Sequence, residues 1–196
     1  MLQTSSSLPL WIICGVLVLA FLYFIYLYNY LVNLKNKVSK NWANIDVILK
    51  QRNDELHKLI ETCIQYRDFE RSTLEAIVLA RNNAQTAQTN VNMAALGIAE
   101  GAIRGGLTKL FALAENYPDL KTNQSFLQLQ ARISDLENSI ADRRELYNES
   151  VNINNITIEQ FPSNLIAQLF RFSPADLLEF STEEKKDVDI KHLFVR

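Results

Sequence analysis

Apolar residues follow two regimes along this chain. From Leu8 to Tyr28 the segment "LPLWIICGVLVLAFLYFIYLY" is almost wholly apolar, and no charged side chain occurs between Leu2 and Leu34. As a helix this stretch is long enough to cross a hydrocarbon core of ~30 Å. Beyond it the apolar positions return in steps of three and four. Val38, Trp42, Ile45, Leu49, Arg52, Leu56, Leu59, Cys63 and Tyr66 form one such stripe, which predicts a helix to about Tyr66 after a short juxtamembrane turn. A second helix is expected from near Glu70, with Leu74, Ile77 and Val78 on its apolar face, weakening in "NNAQTAQTN". The glycine-rich segment that follows ends at Pro118, and Asn123 is placed to cap the next helix. That last long helix carries Phe126, Leu129, Ile133, Leu136, Ile140, Arg143 and Tyr147, then runs less cleanly through Val151 and Ile158 to Phe161. After Pro162 comes a short amphipathic segment, "SNLIAQLFRF", with Ser163 as its expected cap. The charged tail "STEEKKDVDIKHLFVR" is expected to be poorly ordered.

These elements predict an all-α protein: an N-terminal transmembrane helix followed by an antiparallel up-and-down bundle of three or four long helices. Short connections near residues 67–69 and 117–122 make neighbours antiparallel. The organisation expected is 1–34 for the N-terminus and span, 35–161 for the bundle, and 162–196 for the amphipathic segment and tail. Composition agrees, since only five glycines and four prolines interrupt 196 residues. A cleaved signal peptide wants a basic start and a small-x-small cleavage site, and neither is present. Tyr23, Tyr26, Tyr28 and Tyr30 crowd one end of the span and Trp11 marks the other, as in interfacial aromatic belts. Lys35, Lys37 and Lys40 follow the span directly, so the positive-inside rule puts the N-terminus outside and the bundle in the cytoplasm.

Charge narrows the chemistry. The net charge of −2 leaves no generic nucleic-acid footprint. Cys14 and Cys63 cannot build a disulfide framework, and Cys63 lies on an apolar stripe as a small core residue. The only histidines are His57 and His192; the pairs Asp54-x-x-His57 and Asp189-x-x-His192 only faintly echo di-iron bundle ligands, so no metal or other cofactor is expected. Gly97 to Gly106 follows no strand and lacks a Walker lysine, which excludes a phosphate loop. No small-molecule substrate is evident. Gly97, Gly101 and Gly105 fall four apart, either as an oligomer contact or as a loose, glycine-weakened helix beginning or inter-helix connection.

Arg52 and Arg143 fall on the seams themselves. A buried guanidinium without a carboxylate is very costly. Antiparallel first and last helices, with Tyr66 level with Phe126, bring Arg52 near Glu137 and Arg143 near Asp46. We therefore expect a polar layer of Asp46, Arg52, Glu137 and Arg143 that fixes register; the alternative is that the arginines snorkel outward. The segment with Phe161, Leu165, Ile166, Leu169 and Phe170 either caps the open end of the bundle or docks on the lipid surface.

The ordered motifs "YNYLVNLKNKV", "WANIDVILKQRNDEL", "HKLIETCIQY", "LEAIVLAR", "AENYPDLKTNQSFLQLQ", "LENSIADRRELYNESV" and "FPSNLIAQLF" resemble the LemA family of bacterial membrane proteins over nearly the whole chain. The resemblance implies one N-terminal span, a helical bundle and no assigned enzymatic activity. A magnetosome-associated relative suggests work in membrane organisation. The chain departs from the family at Gln51, where a basic residue is common, and at "LHKLI", where a proline is usual. The function expected is a bacterial inner-membrane scaffold, acting as a homo-oligomer or with a protein partner; an accessory subunit of a membrane complex is the alternative, and a metal-dependent enzyme the remote one.

Overall fold

The computed structural model describes residues 7–66 and 69–179, all helix or loop, with no strand among them. The charged tail expected after Phe180, with Asp189 and His192, lies outside the described residues. The helices are α1 (Ser7–Ile64), α2 (Arg71–Thr89), α3 (Met93–Ala114), α4 (Pro118–Lys121), α5 (Gln124–Glu159) and α6 (Ser163–Leu169). The juxtamembrane turn expected after the apolar run is absent: α1 continues unbroken for 58 residues. No glycine or proline lies between Gly15 and Ile64, so nothing in the chain stops the helix once it has started.

Packing divides the chain into two compact units, one built on Trp42–Asn148 and the other on the chain up to Asn41 with Glu149–Ala175. In the first unit, polar contacts between helices establish the up-and-down order. Along α1 and α2, Asn53 accepts from Arg81 while Asp46 accepts from Gln88, so one chain rises as the other falls. Glu70 at the start of α2 takes Lys109 from the later part of α3, at 2.7 Å. Arg104 with Glu137, and Phe111 with Phe126, run α3 antiparallel to α5. Tyr66 closes the circuit, since its hydroxyl accepts from Asn123 at 3.0 Å. The core is filled by Ile45, Leu49, Leu56 and Leu59 of α1, Ile77 of α2, Leu96, Ile103 and Leu110 of α3, and Ile133 and Ile140 of α5.

Sequence and structure differ instructively between α2 and α3. The tract "NNAQTAQTN" does not weaken the helix, because Ala80, Ala84 and Ala87 make a buried stripe of small side chains. The turn comes only at Val91, whose φ of 52° is left-handed, and Asn92 then caps α3 by accepting from the Ala95 amide at 3.0 Å. Asn123 does the same for α5, accepting from the Phe126 amide at 3.1 Å. Ser163 is not the cap of α6; Pro162 holds that position and Ser163 is the first helical residue.

The second unit joins the end of the apolar stretch to the end of the chain's last long helix. Leu27 and Leu31 of α1 pack with Ile158 of α5 and with Ile166 and Ala167 of α6. Phe170 sits 4.7 Å from Tyr28 and 6.1 Å from Phe24, centroid to centroid. Within this unit the buried face of α6 is therefore taken by α1 and by the end of α5. The untidy seam after Tyr147 has a physical cause as well. Asn155 clasps the backbone of Ala175 with two hydrogen bonds of 2.9 Å, and within the first unit Asn148 clasps Leu178 in the same way at 3.0 and 2.9 Å. These asparagines hold the chain beyond α6 along α5, where an apolar seam residue cannot pair with exposed backbone groups.

Candidate functional site

The most concentrated chemistry in the described residues is a buried charge network at the centre of the bundle. Arg52 is 2% exposed and Glu100 3%. The guanidinium grips Glu100 in bidentate fashion, with Nη1–Oε2 at 2.5 Å and Nη2–Oε1 at 2.7 Å. The same Nη1 donates to Glu137 Oε1 at 2.9 Å, and the other oxygen of Glu137 lies 3.4 Å from Arg104 Nε. Three helices thus meet through two arginines and two carboxylates, a combination without net charge. Burial opposes the charge on Arg52, but Glu100 and Glu137 outweigh it and hold the guanidinium above its ordinary value. Its Nε stays buried without an acceptor, so the site is not fully satisfied.

Of the four residues expected in a polar layer, the structure brings together Arg52 and Glu137. It separates the other two. Asp46 turns toward Lys50, at 2.6 Å, and toward Gln88 of α2. Burial works against its charge, yet the hydrogen bonds from Lys50 and Gln88 keep its carboxyl below the usual range. Arg143 is exposed. The reason is rotational: relative to a seam centred on Ile133, Ile140 and Tyr147, the step of three to Arg143 falls about 60° off, against about 40° for the step of four to Arg144. Accordingly Arg144 is the less exposed of the pair.

Glu100 was missed by sequence reasoning, although a signal exists. It falls on the α3 stripe of Leu96, Glu100, Ile103 and Leu107, as Arg52 falls on that of α1. Opposite charges on two seams are a pairing signal. Glu55 carries no such signal: it is buried three residues after Arg52, off the stripe, and accepts from the exposed Lys58 and from the exposed Arg132 of α5, each at 3.1 Å.

The glycines sort differently from the expected stripe. Gly97 is buried, Gly101 half-buried and Gly105 exposed, because each step of four overshoots a turn by about 40° and carries the stripe around the helix. Gly97 lies inside the bundle, so the three do not form one exposed stripe. The close approach is made by Gly106, where an added Cβ meets Ile77 Cγ1 at 2.7 Å.

His57 and Asp54 are exposed, and His57 faces Glu61 at 3.2 Å. Among the described residues no three His, Cys, Asp or Glu side chains gather as a metal would need. Cys63 is buried, and burial pushes its thiol up to about 12 from 9.0. In the folded full-length chain, iodoacetamide should therefore label Cys63 only as fast as the bundle opens, read by mass spectrometry with and without denaturant. The same shift carries a sign. The unfolded thiol ionises first, so stability associated with Cys63 is intact below about 9 and is lost as pH rises toward 12.

Ile64 and Leu79 are more informative than any of these. They are 63% and 62% exposed, on a groove of about 620 Å³ that also involves Ile60, Phe69, Leu74 and Val78. Arg71 and Glu75, paired at 2.9 Å, rim it.

Comparison with known proteins places this architecture. The LemA family model matches residues 41–192. A protein LemA of Metamycoplasma hominis is 29% identical over 181 residues, covering 91% of this chain and 81% of the relative. A magnetosome protein MamQ of Paramagnetospirillum magneticum is 30% identical over 81 residues, 41% of this chain and 30% of its own length. Another MamQ, from Magnetospirillum gryphiswaldense, is 28% identical over 74 residues, or 38% of this chain and 27% of that protein.

Proposed function

The chain belongs to the LemA family, and from that premise we propose that it is a single-pass scaffold, presenting its helical bundle to a second protein at the cytoplasmic face of the cell membrane. Trp11–Ile64 contains an apolar window long enough to cross a bilayer, with only 6% of that window buried in the protein. A helix so apolar and so little covered needs lipid as its solvent. Lys35, Lys37 and Lys40 favour an outside N-terminus. The relatives that bear the magnetosome name are consistent with organising work, though they match only part of this chain.

The observation that carries the reading is how the bundle disposes of its chemistry. Arg52, Glu100, Glu137 and Arg104 answer one another, and Glu55 answers Lys58 and Arg132. The charged interior is committed to holding helices together. What the bundle offers outward is the apolar groove with Ile64 and Leu79 at its edge and an ion pair on its rim, the form that accepts one apolar helix face of a partner.

Photo-crosslinking in the living host tests this. With benzoylphenylalanine at Ile64 or Leu79 of the full-length chain, discrete protein adducts are expected. None is expected from the exposed Gln85. Adducts to another protein or to a second copy both fit a scaffold. Equal labelling at all three positions, or none at Ile64 and Leu79, would overturn it.

A further inference from the structure

α6 and the turn before it expose large apolar side chains on the side away from the protein. Ile166 and Ala167 are covered by Leu27 and Leu31, whereas Phe161 is 80% exposed and Leu169 68%, with Leu165 exposed between them. The helix itself, "SNLIAQL", carries no charge. A soluble surface rarely leaves several large apolar residues together on so short an element.

The place at which α6 is held says what covers it. Its partners on α1 are Phe24, Leu27, Tyr28 and Leu31, the last turns of the apolar run before Lys35. On α1 the same stretch exposes Tyr23, Ile25, Tyr26 and Tyr30. The apolar surface of α6 is therefore continuous with that of the spanning helix, at the level of its aromatic belt, where water gives way to acyl chains. One turn further along, Lys35 and Arg171 line a single small cavity, with Ser39, Asn154 and Ser173. Neither cation is ion-paired among the described residues. This unit also contains Lys37 and Lys40, against only Glu149 and Glu159.

Resting on the membrane-spanning reading above, we propose that α6 is an interfacial helix: Phe161, Leu165 and Leu169 insert into the bilayer beside the span, and Lys35 and Arg171 hold the phosphate of an anionic lipid. The arrangement is apolar toward the chains and cationic toward the headgroups. A helix in the interface plane follows the same order. Docked this way, the end of α5 gains a second, weaker contact with the membrane beside the span. Of the five residues expected on the lipid surface, Ile166 is excluded because it faces Leu27 and Leu31.

The full-length chain is reconstituted in phosphatidylethanolamine vesicles containing phosphatidylglycerol, or phosphatidylcholine in its place. Benzoylphenylalanine is carried at Leu165, Leu169, Leu22 or Leu127, one position at a time. Lipid adducts are expected at Leu165 and Leu169 with yields comparable to that at Leu22, and not at Leu127, which is exposed on the bundle. The pair Lys35→Gln and Arg171→Gln should lower the yields at 165 and 169 several-fold in phosphatidylglycerol vesicles and leave that at 22 unchanged. Labelling at 22 without labelling at 165 and 169 overturns this inference and leaves the span standing. No labelling at 22 removes the span itself. Chain-to-chain adducts at 165 and 169 assign the face to a second copy, and yields indifferent to phosphatidylglycerol or to the double substitution overturn the headgroup assignment.

Discussion

Replacing Arg52 by alanine should destabilise the bundle by about 3–5 kcal/mol, the cost typical of breaking a buried ion pair. The loss comes less from the attraction removed than from what remains. Glu100 is left buried, having lost the one cation that answers it among the described residues, 2.5 and 2.7 Å away. Glu137 is better placed, since Arg104 stays beside it. Denaturant unfolding of the full-length chain in mild detergent, followed by circular dichroism, reads the effect. The double replacement Arg52→Met with Glu100→Leu should recover most of the loss, because apolar side chains of similar volume leave no orphaned charge. If the double variant is as unstable as Arg52→Ala, the network is not what the single substitution disturbs. A loss below about 1 kcal/mol for Arg52→Ala would show that water reaches the site and screens it.

The second large effect is expected at Gly106. Its added Cβ lies 2.7 Å from Ile77 Cγ1, the inner carbon of a side chain with no exposed surface. Neither α2 nor Ile77 can give way cheaply, so Gly106→Ala should cost about 1–3 kcal/mol in overpacking, partly offset by the ~1 kcal/mol gained in helix propensity. Gly105 is the internal control. Nothing lies within 4 Å of its added Cβ, so Gly105→Ala should stabilise by about 0.5–1 kcal/mol. Combining Gly106→Ala with Ile77→Ala should cost less than the sum of the two, since the new methyl enters the space that Ile77 vacates. Strict additivity would mean that the two helices are not in contact at this point.

Both predictions turn on features that periodicity showed only in part. The stripe through Ile45, Leu49, Arg52 and Leu56 announces a charge facing a core, and the antiparallel count leads to Glu137. It does not lead to Glu100, which approaches from α3, an element read from sequence as glycine-weakened and left without a register. Gly106 was hidden for a related reason. Among four glycines within ten residues, only the rotation of α3 against α2 selects the one that touches Ile77.

Arg143 makes the same point in reverse. Its level along α5 was inferable, but its azimuth was not, because three-residue and four-residue steps both continue a stripe and only a neighbour decides between them. The ten-residue run from Ser163 to Phe172 was legible as amphipathic. Which of its faces is buried depended on α1 passing beside it.

By itself, then, the sequence determined what is local or cumulative along the chain: the apolar run, the helices, the cap at Asn123, the family, and the need of Arg52 for a carboxylate. Those follow from hydrogen bonding within a helix and from the transfer of apolar side chains out of water, which depend on neighbours a few residues away. Tertiary structure decided the partner of Arg52, the glycine at the tight crossing, and the berth of α6 against Phe24 and Tyr28. Each is a matter of helix rotation, which the packing of all the helices together settles and which no single stripe contains.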